Sequence, residues 1–253
     1  MSSSDNANSA PTSPDALVLQ DISDGVATLT LNRPDKLNAL TPELLDILDE
    51  HLAGLEQNTA VHSLVLTGAG RSFCAGHDLD ALDEQPGQAE REAAIIDRLE
   101  NFPHPTIAKI RGHCLTGGLE LALACDLLVA AESAKLADTH TKWGLVPIWG
   151  MSVRLPERIG HPKAKELTFT GLIVDGRTAA DIGLVDRCST DGRLDIEVDE
   201  LTAQIVANSA GANRICKQLY ARSAQLPRSE ALATERLRPF GMPTDTAERL
   251  ARR

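Results

Sequence analysis

Gly112-His113-Cys114-Leu115-Thr116-Gly117-Gly118-Leu119-Glu120-Leu121-Ala122-Leu123-Ala124-Cys125-Asp126-Leu127-Leu128-Val129-Ala130 holds most of the information in this chain. The residues before it, Thr106 to Arg111, read as a strand. Gly117-Gly118 then opens an apolar helix, Leu119 to Ala124, and Leu127 to Ala130 reads as the next strand. Strand, glycine turn, helix and strand in immediate succession is the building unit of an α/β fold. Glycines at the turn let backbone approach backbone or ligand closely. The start of a helix leaves N–H groups without internal partners, and such donors attract negative charge. Glu120 sits one turn into the helix between Leu119, Leu121 and Leu123. A carboxylate so placed has a raised pKa if it is desolvated. The alternative is an exposed glutamate that stabilises the helix start.

A second loop of the same kind lies upstream. The strand Ser63 to Thr67 runs into Gly68-Ala69-Gly70 and then Ser72-Phe73-Cys74-Ala75-Gly76-His77-Asp78-Leu79. Two loops that each offer one N–H can form an oxyanion hole. Tight turns alone would also explain the glycines. A dinucleotide fingerprint does not fit, because Phe73 stands where its last glycine belongs.

Further out, Asp24-Gly25 between two short apolar runs marks a hairpin. Thr41-Pro42 starts a helix whose apolar face is Leu44, Leu45, Leu48, Leu52 and Leu55. Periodicity predicts a helix over about 88–101, a short strand near Leu136, a last strand over Leu184 to Cys188, and helices over about 194–240. The chain divides into a polar tail over 1–15, an α/β core over 16–195 and a helical region over 196–253.

Composition narrows the function. The charge sum is −11, which argues against broad nucleic-acid binding but not against a phosphorylated small ligand. Cys74, Cys114, Cys125, Cys188 and Cys216 form no CxxC pair, so free thiols, a reducing compartment and a cytoplasmic location are expected. The pair Cys74 and Cys114 with His77 and His113 fits no common zinc spacing. No apolar run approaches membrane-spanning length, so no membrane partner is expected.

Five ordered blocks (LNRPDKLNAL, SFCAGHDL, GHCLTGGLELALACDLLVA, WGLVPIWGMSVRLPERIG and TGLIVDGRTAADIGLVDR) resemble the crotonase superfamily, the enoyl-CoA hydratase/isomerase family. The resemblance covers roughly residues 16 to 225. It implies a crotonase-like spiral of ββα units with a helical C-terminal trimerisation region, a homotrimer or a homohexamer built as a dimer of trimers, and acyl-CoA ligands. It places the oxyanion donors on the backbone N–H groups of His77 and Gly117. It places CoA and substrate contacts on Asp35, Lys36, Leu37 and Ala39, on Cys74, Ala75, Gly76, His77 and Asp78, and on Thr116 and Gly117. Arg33 and Lys36 are candidate phosphate partners. A lysine often found just past the first glycine loop is replaced by Asp80.

The resemblance also gives Glu120 the position of the first catalytic glutamate. The second falls on His140, in Ala137-Asp138-Thr139-His140-Thr141, which is the main departure. An imidazole can serve as acid or base near neutral pH, and Asp138 is a candidate to orient it. The implied reaction is hydration of a trans-2-enoyl-CoA to a 3-hydroxyacyl-CoA, with Glu120 and His140 as the acid/base groups. No metal or other cofactor is expected, CoA being part of the substrate. The alternatives are an enoyl-CoA delta-isomerase, an acyl-CoA decarboxylase, or a non-catalytic acyl-CoA binder. Residues 80–100 are expected along the acyl pocket.

Overall fold

The middle strands of the central sheet alternate their side chains between two cores, as pleated strands covered on both faces must. In the computed structural model, which describes residues 13, 15–81 and 86–252, Leu64 and Leu66 enter the larger core while Val65 enters the smaller one. Ala108 and Ile110 split from Ile107 in the same way, and Leu128 and Ala130 from Val129. Strands covered on both faces explain why these segments read as continuous apolar runs.

The large sheet has the order β1 (Val18–Ser23), β2 (Val26–Leu31), β3 (Ser63–Gly68), β4 (Thr106–Ile110), β6 (Leu127–Ala131), β9 (Arg187–Ser189). The β1–β2 pair is antiparallel and the others are parallel. Asp24 and Gly25 both take positive φ, 50° and 81°, as the tight hairpin demands. A smaller sheet runs β5 (His113–Leu115), β7 (Lys135–Ala137), β8 (Val174–Asp175).

The chain visits the large sheet, then the small one, then a helix, and repeats. Thus β4, β5 and α3 (Gly117–Leu123) form one turn of a spiral, and β6, β7 and α4 (Met151–Thr170) form the next. An earlier turn runs from β3 through Cys74, which bridges to Cys114, into α2 (Gln88–Glu100). This is the ββα spiral that the sequence blocks imply. The helix α1 (Pro42–Glu56) is capped as its sequence predicts, Thr41 Oγ1 accepting the Leu44 N–H at 3.2 Å. The helix α4 is broken at Gly160, whose φ is 74°.

After α5 (Gly176–Asp181), α6 (Leu194–Ala207) buries Leu194, Val198 and Leu201 against the second face of the large sheet. It therefore packs with the core, and a boundary at 195/196 falls inside it. The helices α7 (Ala210–Ala224), α8 (Arg228–Arg236) and α9 (Thr246–Ala251) bury no residue of their own. A tie from α7 to the core is Lys217, whose ammonium donates to Asp126 Oδ2 at 2.7 Å. The tail proposed for residues 1–15 lies almost wholly outside the described residues. Sequence periodicity missed β5 and β8, because strands of three and two residues are too short to show alternation.

Candidate active site

Two backbone N–H groups meet where the glycine loops converge. Gly76 takes a φ of 106°, which turns the chain before His77. Gly117 is the first residue of α3, where the N–H has no helical partner. A Cβ on Gly117 would lie 3.4 Å from the His77 nitrogen and 2.7 Å from Trp149 Cζ3. The two amides are thus neighbours, and no side chain fits at 117. Neither amide donates in the loop and turn hydrogen bonds of the described residues.

The backbone at this point is strained. Thr116 has φ 52° and ψ −115°, a region that a β-branched residue rarely enters. Its N–H is anchored to the Ala137 carbonyl at 2.9 Å, and its hydroxyl shares a hydrogen bond with that of Thr139. The small sheet therefore forces the geometry that aims the Gly117 N–H.

Glu120 is buried, with 2 % of its surface exposed. Its Oε1 accepts the N–H groups of Trp149 and Met151, each at 3.0 Å. Burial pushes the carboxyl above its ordinary value; the Met151 amide, His140 and the Trp149 amide offset this only in part. The segment that supplies these amides is itself held. Arg154 donates to the Trp149 carbonyl at 2.5 Å, and to Asp97 and Glu100 on α2 at 2.8 and 2.6 Å.

His140 is buried beside Glu120. Its Nε2 lies 3.6 Å from Glu120 Oε2, and its Nδ1 lies 2.7 Å from Asp138 Oδ1. Asp138 Oδ2 accepts the Thr168 hydroxyl at 2.7 Å. Burial alone would raise the Asp138 carboxyl; hydrogen bonds from the His140 ring, the Thr168 hydroxyl and the His140 amide outweigh it and hold the group low. An ionised Asp138 fixes the imidazole proton on Nδ1 and turns the Nε2 lone pair toward Glu120. The 3.6 Å gap is too long for a direct hydrogen bond, and an oxygen at ~2.8 Å from both atoms closes it.

Glu120, His140, Gly117, Thr116 and His77 all line one cavity of about 290 Å³. Its remaining wall is mostly apolar and includes Leu79, Leu115, Leu145, Ile148 and Trp149. Among the described residues, no cluster of three or more His, Cys, Asp or Glu side chains is arranged to hold a metal ion.

The residues expected to contact CoA divide into two groups. Ala75, Gly76, His77, Thr116 and Gly117 line the cavity. Asp35, Lys36, Leu37, Ala39, Cys74 and Asp78 do not. Cys74 is buried, its amide donates to His113 and its carbonyl accepts from Leu115, so its backbone is already engaged in the core. Asp78 is paired with Arg33 at 2.9 Å, and Arg33 also donates to the Ala39 carbonyl at 2.6 Å. Arg33 is therefore an internal clamp and not a free phosphate partner. Asp35 and Lys36 lie on an exposed turn, where Lys36 lies 3.8 Å from Asp80. The Leu37 carbonyl accepts the Ala75 N–H, and buried Asn38 donates to the Ala69 and Ser72 carbonyls; the turn braces the first glycine loop.

Sequence reasoning missed the Trp149 and Met151 amides, Arg154 and Glu92. Backbone donors leave no residue-type signal. Glu92 reads as one more polar position of an amphipathic helix, yet it is buried and lines the cavity. From the 80–100 segment, Gln88, Ala89 and Glu92 of α2 face the cavity, while residues 82–85 lie outside the described set.

The chain matches a family model described as enoyl-CoA hydratase/isomerase over residues 21–250. It is 39 % identical over 219 residues to the putative enoyl-CoA hydratase/isomerase YngF of Bacillus subtilis, covering 83 % of each chain. The crystal structure of an enoyl-CoA hydratase from Bacillus anthracis superposes with a TM-score of 0.87 at 32 % identity, covering 93 % of this chain and 95 % of that one. A putative enoyl-CoA hydratase from Thermobifida fusca, solved in complex with CoA, superposes with a TM-score of 0.83 at 29 % identity, covering 94 % of this chain and 95 % of that one.

Proposed function

This chain belongs to the enoyl-CoA hydratase/isomerase family, the crotonase superfamily, and from that premise we propose that it hydrates trans-2-enoyl-CoA thioesters to 3-hydroxyacyl-CoA. The observation that carries the proposal is the Glu120–His140 pair, spaced to hold one water beside two amides that make no loop or turn hydrogen bond among the described residues.

The thioester carbonyl oxygen accepts from the His77 and Gly117 N–H groups. Charge grows on that oxygen as the reaction proceeds, so these donors favour the transition state over the bound substrate. The water lies between Glu120 Oε2 and His140 Nε2. Ionised Glu120 takes a proton from it while its oxygen bonds to the β-carbon. The electron pair of the double bond moves onto the thioester as an enolate. The enolate then takes the proton back from Glu120 at the α-carbon, and the product carries one added water. His140 positions the water, and Asp138 positions His140. No metal or redox group enters these steps, and CoA arrives with the substrate.

A second reading rests on one observation: the second acid/base position holds an imidazole. Shifting a double bond from β,γ to α,β needs a single well-placed base, and Glu120 supplies one. The test is loss of the conjugated enoyl thioester absorbance with crotonyl-CoA and longer homologues. Hydration predicts rapid loss that fails in both Glu120→Gln and His140→Ala. Turnover of a β,γ-enoyl thioester that needs Glu120 alone would favour isomerisation.

The exposed apolar residues Tyr220, Leu237 and Met242, on and between the last helices, support a homotrimer or a dimer of trimers, with these faces as subunit contacts. Cys74, Cys114, Cys125, Cys188 and Cys216 are all free, which supports the cytoplasm as the compartment. No helix among the described residues is long and apolar enough to cross a membrane.

A further inference from the structure

The cavity holds a second carboxylate–imidazole pair that the hydration mechanism does not use. Glu92 is 4 % exposed, lies on α2 and lines the cavity. Its Oε1 accepts from the Gln88 side chain at 2.9 Å. Its Oε2 makes no hydrogen bond among the described residues; it faces His77 Nε2 at 3.7 Å. His77 Nδ1 lies 3.3 Å from the Asp78 carbonyl, and Nε2 faces the same point in the cavity as the carboxylate oxygen. The imidazole lies against Trp149, with ring centroids 5.5 Å apart. The Trp149 indole N–H is buried with no partner among the described residues.

The residue is buried, but this oxygen opens onto the cavity, where a ligand donor can reach it. No protein donor bonds to it among the described residues, although Lys142, Thr116 and Thr139 also line the cavity. An oxygen at ~2.8 Å from both Glu92 Oε2 and His77 Nε2 completes a triangle on their 3.7 Å base. A hydroxyl fits this place, because it can donate and accept at one point. It donates to the carboxylate, and it accepts from His77 whenever Nε2 carries a proton. An alkyl chain offers the carboxylate no donor, and a carboxylate placed at this point meets the like charge of Glu92.

We propose that Glu92 and His77 form a specificity site for a hydroxyl carried on the acyl chain, so that the preferred substrate is a hydroxylated acyl thioester. This deepens the reading above and rests on the cavity accepting the acyl group.

The test is calorimetric binding of saturated acyl-CoA thioesters of four to eight carbons, each as alkyl, terminal-hydroxyl and terminal-carboxyl forms. The whole protein is used, as wild type, Glu92→Leu and Glu92→Gln, with circular dichroism as a check on folding. Wild type is expected to bind one hydroxylated chain about tenfold or more tighter than its alkyl partner, and the carboxylated form most weakly. Glu92→Leu is expected to reverse the hydroxyl preference, and Glu92→Gln to keep part of it. No hydroxyl preference at any length, as when a water alone bridges the pair, overturns the proposal. So does a preference that survives in Glu92→Leu. Binding does not depend on turnover, so hydroxyl preference without hydration sinks the hydratase reading alone. Hydration without that preference sinks this one alone.

Discussion

Two carboxylate–imidazole pairs line one cavity at nearly the same spacing, 3.6 Å for Glu120 and His140 and 3.7 Å for Glu92 and His77. They differ in how they are held. Glu120 is fixed by two backbone amides that Arg154 braces, and His140 is fixed by an ionised Asp138. Glu92 is held by the end of one long side chain, and His77 by a carbonyl at 3.3 Å. Rigid backbone partners preorganise a group for proton transfer, because little reorganisation is left for the reaction. Partners at the end of a flexible side chain suit recognition, where the ligand itself completes the geometry. On the two readings proposed above, the same residue types serve different ends through their supports.

The largest effect that would break this contrast is at Glu120. Glu120→Gln keeps the acceptor for the two amides and removes the base, and kcat for enoyl hydration is expected to fall by about a thousandfold or more. A loss below tenfold would mean that proton transfer belongs elsewhere. His140→Ala comes next, with a fall of about a hundredfold in hydration. Asp138→Asn presents an amide to Nδ1 and favours the wrong imidazole tautomer. Its expected cost is roughly tenfold in kcat, with a displaced pH profile that a purely structural role would not produce.

The pH dependence sharpens the contrast further. Burial raises Glu120, and the proposed role needs it ionised, so the acidic limb of kcat/KM should lie above 4.5, the ordinary glutamate value. The same shift has a stability consequence. A carboxyl whose folded pKa is raised favours the folded state below its unfolded pKa, and that advantage is lost as pH rises through the folded pKa. At neutral pH the ionised Glu120 is therefore a cost, and Glu120→Gln should melt higher than wild type. The gain is expected at about 2–4 °C per kcal/mol relieved, and it should fade as pH falls through the ordinary carboxylate range. A variant that melts lower at pH 7 would show that the carboxylate is well paired. The smallest effect expected is on assembly: light scattering should report a trimer or hexamer, and a monomer would leave the apolar side chains Tyr220 and Leu237 in water.

Much of this was legible from local signals. The Asp24-Gly25 turn, the Thr41 cap and the apolar face of α1 follow from backbone preference and periodicity, which act within a few residues. Glu120 stood out because an acidic residue interrupts an apolar helix, and the five blocks tied it to the oxyanion loops. The 195/196 boundary did not hold as drawn, because α6 looks like the helices that follow it until its contacts with the sheet are seen. Arg33 read as a free cation because one partner, the Ala39 carbonyl, lies across a turn and the other, Asp78, lies far along the chain on the first glycine loop.

Residue type, spacing and order were enough for the α/β class, the two glycine loops and an acidic residue inside an apolar helix, and the family resemblance marked His140 beside it. Tertiary packing was needed to show that His140 Nε2 faces Glu120, that the Trp149 and Met151 amides hold Glu120, and that Glu92 reaches the same cavity as His77. Each of those relations joins atoms whose meeting depends on how the spiral of ββα units closes. The backbone donors among them carry no residue-type signature, and hydrogen-bond direction is set by position in space rather than by neighbours in the chain.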